Sequence, residues 1–236
     1  MSRFVYRSQH DVSSAALFGF HERPGAFARL EPPWESLEIL EQHGTIRDGD
    51  RLIFALRKGP LRIRWEALHR NFEPGVRFVD EMTRGPFAAW SHEHRIEPPR
   101  GSDRNDDGQG ATGSETSDSR GSELIDSIDY RVPFGPLGAL FGGWIARLTL
   151  RRMFRWRHAR TRADVARLGE RLVGLPSDRT VAITGGTGLI GSTLAPFLRL
   201  AGWRVKIVSR RPLGPDDVRW DPSRGEIEAE KLEGVD

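Results

Sequence analysis

The sequence lacks cysteine altogether and has only three lysines, Lys58, Lys206 and Lys231. The absence of cysteine excludes disulfide bonds, thiolate catalysis and zinc sites built on cysteine, and it fits a reducing compartment. All other basic side chains are arginine, a bias that genome composition explains more often than function does. The net charge is only +3, so charge alone predicts no class of partner.

Long hydrophobic runs are missing as well. The N-terminal stretch MSRFVYRSQH has no apolar core of the kind that a secretory signal needs. The uncharged run from residue 132 to residue 146 is shorter than the ~20 residues that span a bilayer. We therefore predict a cytoplasmic protein without a membrane partner, whose 236 residues suffice for one large domain or two smaller ones.

The first part of the chain has the pattern of an antiparallel sheet with helices. Residues 3–12 are predicted to form a strand, and residues 13–23 a helix with a serine cap. From residue 36 to residue 98, stretches with strand patterning follow one another, each ended by glycine or proline. In LRIRWEALHRNF, alternate residues share one face, as in a sheet covered on one side. These residues are Leu61, Ile63, Trp65, Ala67 and His69.

Two further segments follow the predicted sheet. Residues 99–122 contain no large apolar side chain, so they are predicted to form a disordered insertion, and residues 123–132 resume the strand pattern. A long helix is predicted from residue 135 to residue 172, with nine arginines between Arg147 and Arg171. Its apolar stripe is expected to pack on the sheet. The stripe consists of Leu137, Leu140, Phe141, Trp144, Ile145 and Leu148.

The order of strand, helices, six strands and long helix is the plan of the helix-grip fold. The stretches RPGAFARLEPPW, GPFAAWSHEHRIEP and DSIDYRVPFGPLG resemble the START-like (SRPBCC, polyketide cyclase-type) domain. More specifically, they resemble the version that precedes an atypical short-chain dehydrogenase in a bacterial epimerase-like family. The resemblance covers residues 1–172 apart from 99–122, and it implies an α+β helix-grip domain.

After a predicted linker at residues 173–179, the stretch TGGTGLIGSTLAPFL has the pattern of a nucleotide-binding loop. It follows a predicted strand at 180–184 and opens a helix. In that context, glycines permit a tight turn, the approach of a pyrophosphate and close packing of helix on strand. A purely structural turn is the alternative. The candidate phosphate-binding residues are Gly185, Thr187, Gly188, Leu189, Ile190 and Gly191.

The next predicted strand ends in Ser209, Arg210 and Arg211. An acidic residue here would bind the ribose 2′-hydroxyl of NAD, whereas arginine would pair with the 2′-phosphate of NADP. NADP is therefore the predicted cofactor, and a solvated arginine pair is the alternative. Residues 219–236 resemble the segment before the third strand in the same epimerase-like family. Residues 180–236 are thus predicted to be the first βαβ unit of an α/β Rossmann domain, within which the chain ends.

The two tyrosines bear on catalysis. Short-chain dehydrogenases use a Tyr-x-x-x-Lys pair, in which lysine lowers the pKa of the tyrosine that transfers the proton. Here Tyr6 and Tyr130 are followed four residues later by His10 and Phe134. We therefore assign no catalytic residue. We expect no dehydrogenase or epimerase turnover and at best weak NADP(H) binding by this chain.

His92 and His94 lie two positions apart, so both face the same side of a predicted strand, with His69 nearby. Three histidines are able to bind zinc, but the resemblance implies no metal and none is predicted. Polar lining of a helix-grip cavity is the favoured interpretation, and exposed histidines are the other. The predicted lining of a small-ligand cavity is Trp65, His69, Trp90, His92 and His94.

Two functions are compatible with these patterns. The chain is either the N-terminal portion of an NAD(P)-dependent epimerase- or oxidoreductase-like protein, or a non-enzymatic protein that binds a small hydrophobic ligand and carries a vestigial C-terminal segment. In both cases the predicted partner is a small molecule. For the arginine-rich helix, a solvated face is favoured over contact with nucleic acid or an anionic membrane, so neither is predicted as a partner.

Overall fold

The computed structural model describes residues 1–99, 121–133, 135–174 and 176–236, with the backbone alone at 136, 137 and 139–141. The predicted disordered insertion at 99–122 lies outside the described residues, apart from 99, 121 and 122. Ser122 requires a correction, because it begins a strand and is fully buried. Its hydroxyl donates a hydrogen bond to the carbonyl oxygen of Val12 at 2.9 Å, which fixes the start of that strand.

The first part of the chain begins with β1 Ser2–His10, α1 Ser14–Glu22 and α2 Ala26–Arg29. α1 starts at the predicted place because the Ser13 hydroxyl accepts a hydrogen bond from the backbone N–H of Ala16 at 3.2 Å. The following strands are β2 Ser36–His43, β3 Arg51–Lys58, β4 Leu61–Glu73, β5 Arg77–Arg84, β6 Ala89–Glu97 and β7 Ser122–Arg131. The predicted order of these elements is confirmed.

These seven strands form one antiparallel sheet in the order β1-β7-β6-β5-β4-β3-β2. A long helix, α3 Gly135–Leu168, packs on β1 and β7 and continues as a short 3-10 helix, Gly169–Leu172. An antiparallel sheet packed on the long helix that follows it is the helix-grip arrangement, so this part of the predicted fold is confirmed. No helix in the described ranges is long and apolar enough to cross a membrane.

The face of α3 that contacts the sheet differs from the predicted stripe. Trp144, Ile145 and Leu148 are 62%, 52% and 57% exposed. Leu150 and Phe154 are buried in their place, in one cluster with residues of β1 and β7. The remaining members of the stripe lie outside the residues whose side chains are described. They are Leu137, Leu140 and Phe141.

The contact face continues along α3 through the arginine-rich segment. His158, Thr161, Val165 and Leu168 are buried at helical spacing. Two of these four side chains are polar. A prediction based on apolar residues alone therefore assigns the wrong face of the helix to the contact with the sheet. Most arginines of this helix are exposed on its other faces, but Arg157 is half-buried, and its Nε donates a hydrogen bond to the carbonyl oxygen of Leu30 at 3.1 Å.

The second part of the chain has a four-stranded sheet of its own. Its elements are β8 Thr180–Thr184, α4 Gly191–Leu200, β9 Arg204–Ser209, β10 Val218–Asp221 and β11 Glu226–Ile227, followed by a short 3-10 helix, Ala229–Leu232. β8 and β9 are parallel with α4 between them, and β10 adds a further parallel strand beside β9. β8, α4 and β9 were predicted from the sequence, whereas β10 and β11 were not.

The two parts share one hydrophobic core. Leu200 of α4 is fully buried in the same cluster as Leu17 and Phe20 of α1. Gly25, at φ +93°, approaches α4 so closely that a Cβ there would lie 2.5 Å from the carbonyl oxygen of Pro196. Apolar side chains are therefore packed across the predicted boundary. The division into two domains with a linker at 173–179 stays a prediction.

Candidate functional site

The inner face of the first sheet carries a cluster of histidine and aspartate side chains. Asp80 of β5 lies directly opposite His69 of β4 and His92 of β6. Asp126 of β7 lies directly opposite His94 of β6. Residues opposite each other in an antiparallel pair project from the same face, which brings these side chains together. The buried histidines of the described chain are His10, His21, His69, His92, His94 and His158.

Both carboxylates contact more than one imidazole. Oδ1 of Asp126 lies 3.1 Å from Nε2 of His92 and 2.7 Å from Nδ1 of His94. Oδ2 of Asp80 lies 3.2 Å from Nε2 of His94 and 3.9 Å from Nδ1 of His92. The other oxygen of Asp80 lies 2.7 Å from Nε2 of His69. His92 and His94 therefore each lie between the same two carboxylates.

Helix α3 extends the cluster toward β1. Nε2 of His158 lies 2.6 Å from Oδ2 of Asp126, and its Nδ1 lies 2.6 Å from the hydroxyl of Ser8. That hydroxyl also lies 2.8 Å from Nε2 of His10. A continuous chain of hydrogen-bonding groups thus runs from β1 through the helix to the centre of the sheet.

The carboxylates and imidazoles shift one another's pKa. Burial would raise the pKa of Asp126, but the neighbouring His94, His158 and His92 hold it well below its usual range. Burial would lower the pKa of His94, but the charges of Asp126 and Asp80 and their hydrogen bonds raise it to about 9. Burial and the adjacent His94 lower the pKa of His92 to about 4. At neutral pH, a charged and a neutral imidazole therefore lie side by side.

The outer members of the cluster follow the same physical rules. Burial would lower the pKa of His69, but its hydrogen bond to Asp80 and the charge of that carboxylate raise it. His21 of α1 lies beside the cluster, with its ring centroid 5.5 Å from that of His94. Burial lowers the pKa of His21 to about 3, and the charge of His94 adds to the effect. Nε2 of His21 has no hydrogen-bond partner among the described residues. The interior therefore holds neutral and charged imidazoles in fixed places.

Three of the five predicted cavity residues, His69, His92 and His94, lie in this cluster. Trp65 and Trp90 share the same face but are only half-buried. Their rings meet edge to face, with centroids 5.2 Å apart. The aromatic pair and the histidine cluster therefore form two adjoining regions of one face. The prediction that these five residues line a ligand cavity remains a prediction.

Three members of the cluster, Asp80, Asp126 and His158, were not predicted from the sequence. The two aspartates occupy inward-facing positions of strands, where an acidic side chain is unusual, so alternation alone could have marked them. Their proximity to His94 depends on the pairing of strands that are distant in the sequence. His158 was missed because it lies among arginines on a helix whose buried face was predicted wrongly.

A second candidate site is the glycine loop between β8 and α4. Gly185 adopts φ +66°, a conformation that side chains disfavour. A Cβ at Gly191 would lie 2.3 Å from the carbonyl oxygen of Gly185 and 2.5 Å from Cα of Gly186. A Cβ at Gly186 would lie 2.5 Å from Cδ1 of Ile207. The tight turn and the close packing of α4 on the strands therefore require glycine.

The loop and the end of β9 lie at the same edge of the second sheet. The parallel pairing of Thr184 with Val208 aligns the ends of the two strands. In the loop, Leu189 is 92% and Ile190 78% exposed. At the end of β9, the hydroxyl oxygen of Ser209 is buried and has no hydrogen-bond partner among the described residues. The remaining predicted residues, Thr187, Gly188, Arg210 and Arg211, are exposed.

No protein-family model matches the sequence. The chain is 41% identical over 61 residues to the Epimerase family protein Mb2239 of Mycobacterium bovis, which covers 25% of this chain and 20% of that protein. It is 46% identical over 41 residues to the Epimerase family protein SDR39U1 of Bos taurus, which covers 17% and 14%. The chain thus spans at most about a fifth of the length of these curated relatives.

One solved structure is similar over both parts of the chain. The nucleoside-diphosphate sugar epimerase of Corynebacterium glutamicum aligns with a TM-score of 0.69 and 26% identity. The alignment covers 99% of this chain and 44% of that one. The chain is therefore similar to epimerase-family proteins in sequence over a short segment and in structure over nearly its whole length.

Proposed function

We propose that the glycine loop binds the pyrophosphate of an NADP-type dinucleotide. In this proposal the chain supplies the helix-grip unit and the first part of the Rossmann domain of an NAD(P)-dependent epimerase- or oxidoreductase-like protein. The observation that carries it is the cradle formed by Gly185, Gly186 and Gly191, in which any Cβ would be strained or collide. It opens at the end of two parallel strands and at the start of α4, where backbone N–H groups and the helix dipole attract anions.

The side chains around the cradle fit the rest of such a cofactor. Thr187 and Gly188 are exposed in the loop, where their backbone is accessible to a pyrophosphate. The buried hydroxyl of Ser209 has no hydrogen-bond partner among the described residues, and a ribose or phosphate oxygen would supply one. Arg210 and Arg211 would pair with a 2′-phosphate, because guanidinium groups match phosphate geometry. When bound, the nicotinamide would accept or donate a hydride.

A titration that follows NADPH fluorescence tests this proposal. We expect weak binding by the unmodified chain, with a dissociation constant of roughly 0.1–1 mM. Gly188→Asp should abolish it, because the new carboxylate would repel the phosphates while its Cβ meets only one atom, at 3.2 Å. The matched control is Gly174→Asp, which adds the same charge at an exposed position where a Cβ meets nothing within 4 Å.

Two results would contradict the proposal. One is the absence of any NADPH binding at several millimolar cofactor. The other is binding that Gly188→Asp leaves intact or that Gly174→Asp weakens equally. Circular dichroism of both variants should match that of the unmodified chain, because neither position packs against a neighbouring side chain.

The aromatic residues beside the histidine cluster favour a second function, the binding of a small hydrophobic ligand by the helix-grip unit. Phe87 contacts both tryptophans, with its ring centroid 4.9 Å from that of Trp90 and 5.9 Å from that of Trp65. Half-buried aromatic rings next to a few polar groups are typical of ligand sites. This proposal requires no chemistry from the glycine loop.

The fluorescence of 8-anilinonaphthalene-1-sulfonate tests this second function. We expect Trp90→Leu to weaken binding of the dye at least several-fold. Trp144→Leu, which alters a tryptophan that is 62% exposed on α3, should leave binding unchanged. Equal effects of the two substitutions, or no dye binding by the folded chain, would exclude the aromatic group as the site.

A further inference from the structure

We propose that Asp80, His92 and His94 bind a divalent transition-metal ion inside the helix-grip unit. One ligand atom from each residue lies within 4.8 Å of the other two. Oδ2 of Asp80 is 3.2 Å from Nε2 of His94 and 3.9 Å from Nδ1 of His92. Ligand bonds of about 2.1 Å in tetrahedral geometry place ligand atoms about 3.4 Å apart, so the three groups need little movement to share one ion.

Asp126 contacts the same two histidines as Asp80, through their other ring nitrogens. It contacts the ring nitrogen of each histidine that would not bind the ion, at 3.1 Å from Nε2 of His92 and 2.7 Å from Nδ1 of His94. Metal-binding histidines almost always donate their second N–H to a carboxylate, a carbonyl or water, which fixes the tautomer and the ring orientation. Here one buried carboxylate lies beside both histidines. Its contact with His92 is a hydrogen bond, whereas Nδ1 of His94 is within reach but lacks hydrogen-bond geometry to it.

The contacts of Asp80 with the two histidines are unequal. Oδ2 of Asp80 and Nε2 of His94 form a hydrogen bond at 3.2 Å, whereas Nδ1 of His92 lies 3.9 Å from the same oxygen, too far for one. A single cation between the three groups would replace the first contact and also bind Nδ1 of His92.

The third ligand is also held in place. The second oxygen of Asp80 lies 2.7 Å from Nε2 of His69, whose Nδ1 lies 3.2 Å from the backbone carbonyl oxygen of Asp50. The Asp80 side chain is 26% exposed, whereas those of His92 and His94 are 4% and 9% exposed. Among the described residues, Asp80 is thus the most exposed of the three proposed ligands.

The ligand set defines the class of ion. Two imidazoles with one carboxylate suit Zn²⁺, Fe²⁺ or Co²⁺, whereas Mg²⁺ and Ca²⁺ prefer oxygen ligands alone. The chain has no cysteine that would select a softer ion. Three protein ligands leave a coordination position for water or a small molecule, as in catalytic zinc sites. This inference uses none of the residues that carry the cofactor proposal.

The experiment uses the full chain without a polyhistidine tag, stripped with a chelator and then titrated with Co²⁺ and Zn²⁺. We expect about one ion per chain and the visible absorption of four- or five-coordinate Co²⁺, which Zn²⁺ abolishes by competition. Zn²⁺ at about one hundred times its dissociation constant should raise the Tm by about 5–10 °C. Fewer than about 0.2 ions per chain with an unchanged Tm would overturn the proposal.

Variants locate the ion. His92→Gln and His94→Gln should each abolish binding, and Asp126→Asn should weaken it by about 10- to 100-fold. The control is His43→Gln, because the His43 side chain is 73% exposed and outside the cluster. Binding that depends on His43, or that survives His92→Gln, would overturn the proposal. If the variants do not fold, X-ray absorption spectroscopy of the unmodified Zn²⁺ complex tests the proposal. The spectrum should show two imidazole ligands, and any other number would contradict the assigned ligands.

Discussion

At the scale of single residues, His10 shows how burial restricts a titratable side chain. Burial, His158 and Arg162 lower its pKa to about 4, and only Asp126 opposes them. The folded pKa is below that of the unfolded chain, near 6.5. Between these two values the unfolded state takes up a proton that the folded state does not. The contribution of neutral His10 to the free energy of unfolding is therefore fully present at neutral pH. It is lost as the pH falls from about 6.5 to about 4.

His10→Gln should make stability less sensitive to acid, because glutamine retains a hydrogen-bonding group for Ser8 but does not titrate. Between pH 7 and pH 5, the unmodified chain should lose about 2 kcal/mol more of its free energy of unfolding than the variant does. Urea denaturation at several pH values measures this difference. His43→Gln, which removes no buried imidazole, should retain the pH dependence of the unmodified chain. Identical slopes for the His10 variant and the unmodified chain would refute the argument.

Single residues also show what the sequence alone can reveal. The glycine pattern was sufficient to predict where a Cβ cannot fit, because Gly185 and Gly191 serve local geometry within one loop. The contact between Asp126 and His94 could not be predicted from the residues around either of them. It depends on the register of β6 and β7, which are separated in the sequence by a segment without strand patterning. Alternation placed His94 on the correct face but could not identify its neighbours.

At the scale of elements, Arg29 joins three helices. Two nitrogens of its guanidinium group, at the end of α2, each lie 2.7 Å from the Asp164 carboxylate of α3. A third nitrogen donates to the carbonyl oxygen of Thr193 in α4 at 3.1 Å. The side chains of Arg29 and Asp164 are only 6% and 1% exposed. Loss of either partner would leave the other charge buried without compensation.

Arg29→Met should therefore lower the free energy of unfolding by about 3–5 kcal/mol. The matched control is Arg57→Met, which removes the exposed pair with Glu38 at 3.4 Å and should cost less than about 1 kcal/mol. Chemical denaturation of both variants provides the comparison. A cost for Arg29→Met as small as that of the control would show that the buried pair does not hold the helices together.

Helix α3 shows which properties of an element can be predicted from the sequence pattern and which cannot. The predicted helix from 135 to 172 agrees with α3 and the 3-10 helix after it, because no proline or strand pattern interrupts that segment after its first turn. Its rotation was predicted wrongly, because the apolar residues Trp144 and Leu148 are exposed while the polar His158 is buried. The extent of a helix follows from local preference, but its buried face depends on what it packs against.

At the scale of the whole molecule, the packing of α4 on the helix-grip unit was not predictable from the sequence. From the sequence, residues 180–236 were predicted to be the first βαβ unit of a Rossmann domain, joined by a linker to the helix-grip domain. In the structure, Leu200 of α4 instead completes a core that Leu17 and Leu172 also form. The helix that follows the glycine loop thus packs on the helix-grip unit, through contacts between residues far apart in the sequence.

The central claim is that a dinucleotide binds at the edge of the second sheet and not within the first. Hydrogen–deuterium exchange of the full chain, with and without NADPH at about ten times its dissociation constant, tests it most directly. We expect slower exchange in the loop at 185–193 and at the end of β9, with unchanged exchange in β6 and β7. Unchanged exchange in the loop, or protection confined to the strands of the histidine cluster, would contradict the account.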